Sequence, residues 1–466
     1  MSANKGPVTP ELLLALDRTA GRSLHEQLET ALRDRIRSGR LTPDSRVPSS
    51  RALAATLGLS RGVVLEAYSQ LIAEGYLVAS QGAPTRVGSM PSIERPPVPA
   101  SSLEREYRYR FDPGLPDLNA FPRERWARSL RAALREAPFS ALGHGDTRGA
   151  PQLRNELMAY LGRVRGAAPE PEHTLITTGA RAGLGVLCRT LRERGIERIA
   201  VEDPGWNRHR AIAEDAGLEA VGIGVDEHGL IVEELAASGS EVVVVTPAHQ
   251  FPTGVVMSSE RRSALLEWAE DEDALIVEDD YDSELRYDRV PVGALQGLAP
   301  ERVLHVGSAS KRLAPGVCIG WLLCPSWLSG ALTFEQGVAG GTPPALEQLA
   351  LADFVSTGEL DRHLRRMRLR YRERRAVLAA EIPRALPGAR VSGVAAGLYA
   401  LVLLPDGVDE HQLVRLAAAR GVGVDGLSAH TRAGDGYGSA GLVLGFACLS
   451  AGEIARGLGV LRESIA

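Results

Sequence analysis

In the stretch "VGSASKRLAPGVCIGW", residues 306–321, a single lysine stands among small and apolar neighbours. The chain has 53 basic residues, yet only Lys5 and Lys311 are lysines and the other 51 are arginines. Lys5 lies in a polar leader and needs no explanation. Arginine cannot replace lysine where chemistry requires an amine that loses its proton. Only the lysine ε-amine condenses with a carbonyl to give a Schiff base. The search for a reactive site therefore centres on Lys311.

A pyridoxal phosphate site demands such an amine, an acid facing the pyridine nitrogen and a cradle for the phosphate, usually with an aromatic surface against the ring. Each has a candidate. Asp279, in "IVEDDYD", leaves an apolar run where a carboxylate can pair with the pyridinium. Two residues on, Tyr281 can hydrogen-bond the ring's phenolic oxygen. The turn "TTGARAG" puts Thr178, Gly179 and Ala180 at the start of a helical pattern. They are small enough for backbone N–H groups to approach a phosphate at a helix N-terminus. Trp206 directly follows "EDPG". A glycine turn, an aspartate pair and a tryptophan each have ordinary structural explanations. Their joint occurrence with the lone lysine points to the cofactor.

These residues need a scaffold, and the pattern supplies one. From about residue 111 onward, "HTLITTG", "RIAVEDPG", "EVVVVTPAH", "ALIVEDDYD" and "RVLHVGSAS" are short, β-branched runs that end in polar or small residues. Helical patterns lie between several of them. The spacing predicts a large α/β domain over 111–466 with a mostly parallel sheet covered on both faces. Ligands of such sheets sit beyond the carboxyl ends of the strands, where the candidates fall.

Residues 23–88 form a different pattern. Leu24, Leu28, Leu32 and Ile36 recur at four-residue spacing behind a Ser23–Glu26 capping box. A short second helix opens at Ser49 or Ser50 and closes at Gly58, and a third begins at Ser60 with Val64, Ala67, Tyr68 and Leu71 on its inner face. "YLVASQGAPTRVG" then alternates around a turn, as a two-stranded wing does. This is the shape of a small α+β winged helix-turn-helix. Its third helix would enter the major groove of DNA, first residues towards the bases. Arg46, Ser49, Ser50, Arg51, Ser60, Arg61 and Gly62 gather at helix starts, with Arg86 in the wing, where phosphates can be met. A helical protein-interaction module with ordinary capping serines fits the spacing equally well. Residues 1–22 are a leader, and the Pro/Ser/charge-rich segment 89–110 is a linker.

Charge and cysteine usage set the surroundings. Residues 1–88 carry a net charge of +3 and the remainder −8, for −5 overall, a weak pointer to an anionic partner for the first module. Cys188, Cys318, Cys324 and Cys448 have neither metal-site nor disulfide-framework spacing, which favours free thiols in a reducing compartment. No run is long enough to span a membrane, and the leader lacks a secretory apolar stretch. A cytoplasmic protein is expected. The basic run "RHLRRMRLRYRERR", residues 362–375, places Leu364, Met367 and Tyr371 on one helical face. It reads as an amphipathic helix with a solvated arginine side, a second DNA contact being the minority alternative.

Resemblance sharpens both halves. "LTPDSRVPSSRALAATLGLSRGVVLEAYSQLIAEGYL" resembles the winged helix of the GntR family of bacterial transcription regulators. Its wing tip, "QGAPTRVG", keeps Gly82 but has Ala83–Pro84 where the family often has a second glycine. Residues 111–466 resemble a fold type I aminotransferase, through "PGLPDLNAFPRERW", "GDTRGAPQLRNELMAYL", "VEDPGW", "TPAHQFPTGVVMS", "VEDDYDSELRY", "SASKRLAPG" and "PPALEQLALADF". Together these match the MocR-type regulators, in which the two are fused. The resemblance implies that Lys311 forms the Schiff base, Asp279 faces the ring nitrogen, Tyr281 faces the ring oxygen and Trp206 stacks. Ser308, Ser310 and the Thr178–Ala180 turn would bind phosphate. It further implies a homodimer, a double-stranded DNA operator, and pyridoxal phosphate or a small amine or amino acid as effector.

The sequence departs from the pattern in three places. Cys318 stands where the family has a phosphate-clamping arginine seven residues after the lysine, and Arg181 in the phosphate turn is expected to restore the charge. Val443 stands where aminotransferases hold the substrate carboxylate with arginine, which leaves Arg208 and Arg432 for an effector carboxylate. Phe251 stands where many aminotransferases carry asparagine before "PTG", so His249 or Gln250 is expected at the ring oxygen. The alternative to a regulator is a working aminotransferase with an accessory DNA-binding module, against which Cys318 and Val443 weigh.

Overall fold

Ser23 accepts a hydrogen bond from Glu26 N while the Glu26 carboxylate accepts from Ser23 N, and this capping box starts α1 (Leu24–Arg37). Ser49 caps α2 (Ser50–Leu57) at Ala52 N, and Gly58, at φ +62°, ends it in the left-handed conformation that glycine adopts without steric cost. Ser60 caps α3 (Arg61–Ala73) at Val63 N. In this computed structural model, which describes residues 16–19, 21–80, 83–88, 107–168, 170–287, 292–432 and 440–463, the chain divides into two units, Met1–Glu104 and Arg105–Ala466.

The core of the first unit is Leu28, Leu32, Leu53, Val64, Ala67 and Leu71, all fully buried. The wing is β1 (Leu77–Val78) antiparallel to β2 (Arg86–Val87). The unit begins earlier than the sequence pattern shows. Leu16 packs on the core, Asp17 N donates to Gln27, and Arg18 Nη2 donates to Gly58 O at 2.7 Å. The end of the expected leader thus belongs to the fold, because one apolar side chain and two polar contacts leave no periodic trace. Gly82 at the wing tip and residues 89–106 of the expected linker lie outside the described residues.

In the second unit the expected linker ends two residues early. β3 (Tyr109–Arg110) pairs in parallel with β14 (Val422–Gly423), more than 300 residues away. The main sheet comprises β4 (Thr174–Thr177), β5 (Arg198–Asp203), β6 (Glu219–Asp226), β7 (Gly229–Leu230), β8 (Val242–Val245), β9 (Leu275–Asp279), β10 (Val303–Ser308) and β11 (Gly320–Leu323). Their spatial order among the described residues is 4-11-10-9-8-5-6-7. β10, β9, β8, β5 and β6 run parallel, whereas β11 runs antiparallel to both of its neighbours, as does β7 to β6. β8 and β9 are buried along their whole length. Val242, Val244, Leu275 and Val277 join one apolar cluster and Val243, Val245 and Ile276 another, so both faces are covered and the runs are continuously apolar rather than alternating. The sheet is α/β and mostly parallel, as expected.

A smaller antiparallel sheet holds β12 (Arg390–Ser392), β13 (Tyr399–Leu403), β15 (Asp425–Gly426) and β16 (Gly441–Gly445) in the order 12-13-16-15. The helix Glu359–Ala385 packs here with Leu364, Met367 and Tyr371 inward, confirming the amphipathic reading of that segment. Among the described residues no helix is long and apolar enough to cross a membrane.

Candidate functional site

Strand register brings the candidates to one edge of the main sheet. Thr177 lies opposite Gly320, Gly320 opposite Ser308, and Val306 opposite Asp279. The loops leaving β4, β9 and β10 therefore emerge side by side, and they carry Thr178–Arg181, Asp280–Asp282 and Ala309–Lys311. β8 and β5 continue the row and deliver His249 and Trp206.

Lys311 is held in a polar wall of backbone and carboxylates. Its Nζ donates to Gly114 O, and a Cβ at Gly114 would stand 2.8 Å from that nitrogen. Burial lowers the Lys311 pKa from its ordinary value, opposed by Asp112, Asp282 and Asp279 and aided by Arg181. Lowering moves the amine towards the unprotonated, nucleophilic form.

Asp279 is buried, and His209 Nε2 lies 2.9 Å from its Oδ2, with the Trp206 ring set edge-on against the His209 imidazole at 5.0 Å. His209 is an addition that sequence reading did not supply. The Tyr281 hydroxyl donates to His249 O at 2.7 Å and lies 3.1 Å from the Tyr399 hydroxyl, which in turn donates to Gln250 O. Burial, reinforced by Asp282, pushes the Tyr281 phenol well above its ordinary pKa, so it stays a donor. His249 Nδ1 is 2.9 Å from Asp282 Oδ2, and its ring stacks 5.1 Å from Tyr399. Gln250 is spent inside the fold. Its amide donates to Glu202, Pro204 O and Phe251 O, and its carbonyl accepts from Thr253. Of the two residues expected near the ring oxygen, only His249 is left with an unengaged ring nitrogen among the described residues.

The phosphate turn is built by close approach. Gly179 has φ +103° and caps the helix Ala180–Glu193 with no side-chain acceptor on its first N–H groups. A Cβ at Gly320 would stand 2.6 Å from Gly179 C and 2.8 Å from Ala180 N. Thr178 and Arg181 are exposed, Ser308 is buried and Ser310 half-buried. Arg181 makes no ion pair with any described residue. Cys318 is exposed at φ +52°, its thiol donating to Pro315 O at 3.3 Å. An uncapped helix start, a partly dehydrated amine and a buried carboxylate on one sheet edge are what an anionic pyridine aldehyde requires, so the residues fit pyridoxal phosphate.

The segments that carry Arg208 and Arg432 are tied to each other by hydrogen bonds. Gly205 N donates to His430 O, Asn207 Nδ2 to Ala429 O, and Arg432 N to both Asp203 oxygens. Both guanidinium groups are exposed without an ion pair among the described residues. Val443 is fully buried in an apolar cluster with Phe251, Tyr399, Leu401 and Leu427, which has no place for a carboxylate. In the first unit Arg46, Ser49, Arg51, Ser60, Arg61 and Gly62 are exposed and Ser50 half-buried. Ser49 and Ser60 use their oxygens as caps, and Arg86 Nη1 donates to Asp44 O, which turns it back onto its own unit.

Residues 24–87 match the family of bacterial regulatory proteins called gntR, and residues 117–433 match aminotransferase class I and II. The chain is 36% identical to the pyridoxine biosynthesis transcriptional regulator PdxR of Corynebacterium glutamicum, with 94% of each chain covered. This chain is a MocR-type regulator. It is 34% identical to the probable rhizopine catabolism regulatory protein MocR of Rhizobium meliloti, with 89% of each covered. The fold of the regulator's second unit is also that of Pyrococcus horikoshii kynurenine aminotransferase, at TM-score 0.70 and 26% identity over 77% of this chain and 91% of that one. Pyridoxal phosphate is the cofactor of that fold.

One buried acid near the site titrates in an accessible range. Glu202 accepts from Thr246 N, Thr246 Oγ1 and Gln250 Nε2, and burial pushes it up to about 6 from 4.5. The folded regulator therefore keeps a proton that the unfolded chain has lost. That contribution is fully present below the unfolded value of 4.5 and disappears as pH rises through about 6, amounting to about 2 kcal/mol. Urea midpoints measured from pH 4.5 to 7 should fall less steeply in Glu202→Gln than in the parent. Equal slopes would mean the group is assigned wrongly.

Proposed function

We propose that the regulator binds operator DNA through its first unit and senses pyridoxal phosphate, or a small amine or amino acid, through its second. The observation carrying this is Lys311, an amine with a burial-lowered pKa on the same sheet edge as Asp279 and the uncapped turn, in a chain that also has a winged helix. When bound, the cofactor supplies an aldehyde that captures amines. Lys311 offers the nitrogen, and Asp279, kept in place by His209, faces the ring nitrogen. Tyr281 and His249 face the ring oxygen, and Trp206 lies against the ring. Thr178, Gly179, Ala180, Ser308 and Ser310 hold the phosphate, with Arg181 supplying the charge that Cys318 lacks. Arg208 and Arg432 orient the carboxylate of an acidic effector. On the DNA side, Arg51, Ser60, Arg61 and Gly62 meet the groove, and Arg46, Ser49 and Ser50 meet phosphates, which Arg86 can join only by giving up its hydrogen bond to Asp44 O.

We also infer a cytoplasmic homodimer. Phe139 (95% exposed), Leu134, Leu142, Phe334 and Val338 leave apolar surface on the second unit that a second copy would cover. The deciding experiment is a visible spectrum of the full chain with added pyridoxal phosphate, before and after borohydride, beside Lys311→Ala. The expected result is a visible band that reduction fixes covalently to the parent protein and that the variant lacks. No band at excess cofactor would refute the reading. Sustained catalytic transfer to a keto acid would instead favour a working aminotransferase.

A further inference from the structure

The helix Glu359–Ala385 carries eight arginines and one glutamate between residues 362 and 375, in a part of the chain that is acidic overall. Four of those arginines have partners on the protein itself. Arg362 pairs with Glu359 at 2.9 Å, Arg370 and Arg374 both reach the buried Asp117, and Arg375 donates to Gly393 O. The other four, Arg365, Arg366, Arg368 and Arg372, make no hydrogen bond or ion pair with any described residue. Three of them are exposed and Arg368 is half-buried.

Their spacing puts them on one side. Arg365, Arg368 and Arg372 follow each other at three and four residues, with Arg366 alongside, and the opposite side is anchored by Leu364, Met367 and Tyr371. Leu369 stands among them, 60% exposed. The result is a rigid stripe of uncompensated guanidinium groups about 10 Å long. Like charges on successive turns repel one another; Arg362, Arg370 and Arg374 have carboxylate partners on the protein and Arg375 a carbonyl, whereas the other four are left for a counter-charge from outside.

We propose that this face of the helix binds the phosphate backbone of double-stranded DNA, as a second contact besides α3. The proposal rests on the reading of the chain as a DNA-binding regulator. Guanidinium forks match phosphate oxygens in charge and in bidentate geometry. The first unit, at +3 over residues 1–88, is not complementary to the stripe. Phosphate contacts carry no sequence information, so the face adds affinity and salt dependence and leaves operator choice to α3.

The test uses the full chain with pyridoxal phosphate and a labelled 60-base-pair duplex of mixed sequence, titrated by fluorescence anisotropy at several salt concentrations. Each neutralised phosphate adds about 0.9 to the slope of log K against log salt. R365Q/R366Q/R368Q/R372Q should lower that slope by about 3 to 4, and the corresponding all-lysine variant should keep most of it. An R51Q/R61Q variant reads α3 separately. An unchanged slope in the glutamine variant overturns the proposal, while weakened binding by R51Q/R61Q keeps the DNA-binding reading intact and leaves an acidic protein as the occupant of the stripe. A lysine variant as weak as the glutamine one overturns it too, because charge would then not be what the DNA meets. Failure of the parent chain to bind the duplex at low salt overturns both.

Discussion

Asp280→Ala should cost the second unit about 3–5 kcal/mol of stability, the usual consequence of removing one partner from a buried ion pair. Asp280 is 2% exposed, and its Oδ2 lies 2.8 Å from Arg165 Nε, 3.1 Å from His305 Nε2 and 3.8 Å from Arg312 Nη2. Burial would raise this carboxyl, but Arg165, His305 and Arg312 together override it and hold it well below the usual range. Without the carboxylate Arg312 keeps Glu284 at 2.7 Å, whereas Arg165 loses its only carboxylate partner among the described residues while fully buried. Urea unfolding of Asp280→Ala, beside the double variant Asp280→Ala/Arg165→Met, checks this. Partial recovery in the double variant is expected, since it removes the stranded charge. A loss below 1 kcal/mol in the single variant would show that water reaches the cluster. The site should suffer as well, because Arg312 follows Lys311 and Asp280 follows Asp279.

Gly320→Ala should weaken pyridoxal phosphate binding by an order of magnitude or more. The added methyl would stand within 2.8 Å of three backbone atoms of the Gly179–Ala180 turn, and backbone cannot swing aside as a flexible side chain can. Overpacking of this kind costs about 1–3 kcal/mol. Here the strain falls on the segment whose N–H groups would hold the phosphate, so affinity falls further than stability. Titrating the visible band against cofactor concentration gives the dissociation constant. Gly330→Ala is the control, because its methyl would meet nothing within 4 Å. Equal affinity in the two variants would remove the turn from the phosphate site.

How far the sequence could be read follows from how local each feature is. The three helices of the first unit declared themselves because caps and four-residue stripes are written within a dozen residues. The strands of the main sheet did so because burial on both faces makes them continuous apolar runs. Strand-end residues such as Lys311 and Asp279 were legible because chemistry restricts their types. His209 beside Asp279 joins residues 70 apart, and Arg165 with Asp280 joins residues 115 apart. No periodicity encodes such pairs, so both were missed. The short strand Tyr109–Arg110 looked like linker for the same reason, its partner lying at Val422–Gly423. Gln250 could not be told from His249 until its amide was found committed to Glu202 and two carbonyls.

The carbonyl of Gly114 has one further meaning. It belongs to the stretch that begins at β3, the first part of the second unit reached from the winged helix along the chain, and it takes its hydrogen bond from Lys311 Nζ. Phe111 pins that stretch in the core and Asp112 lends its charge to the same amine. An ammonium has three hydrogens to give; a lysine nitrogen double-bonded to a second carbon has at most one. Were Lys311 to hold a carbonyl carbon in that way, Gly114 O would have to share or lose its donor. The Gly114 carbonyl, a few residues after β3, would then be a tell-tale for the state of one nitrogen.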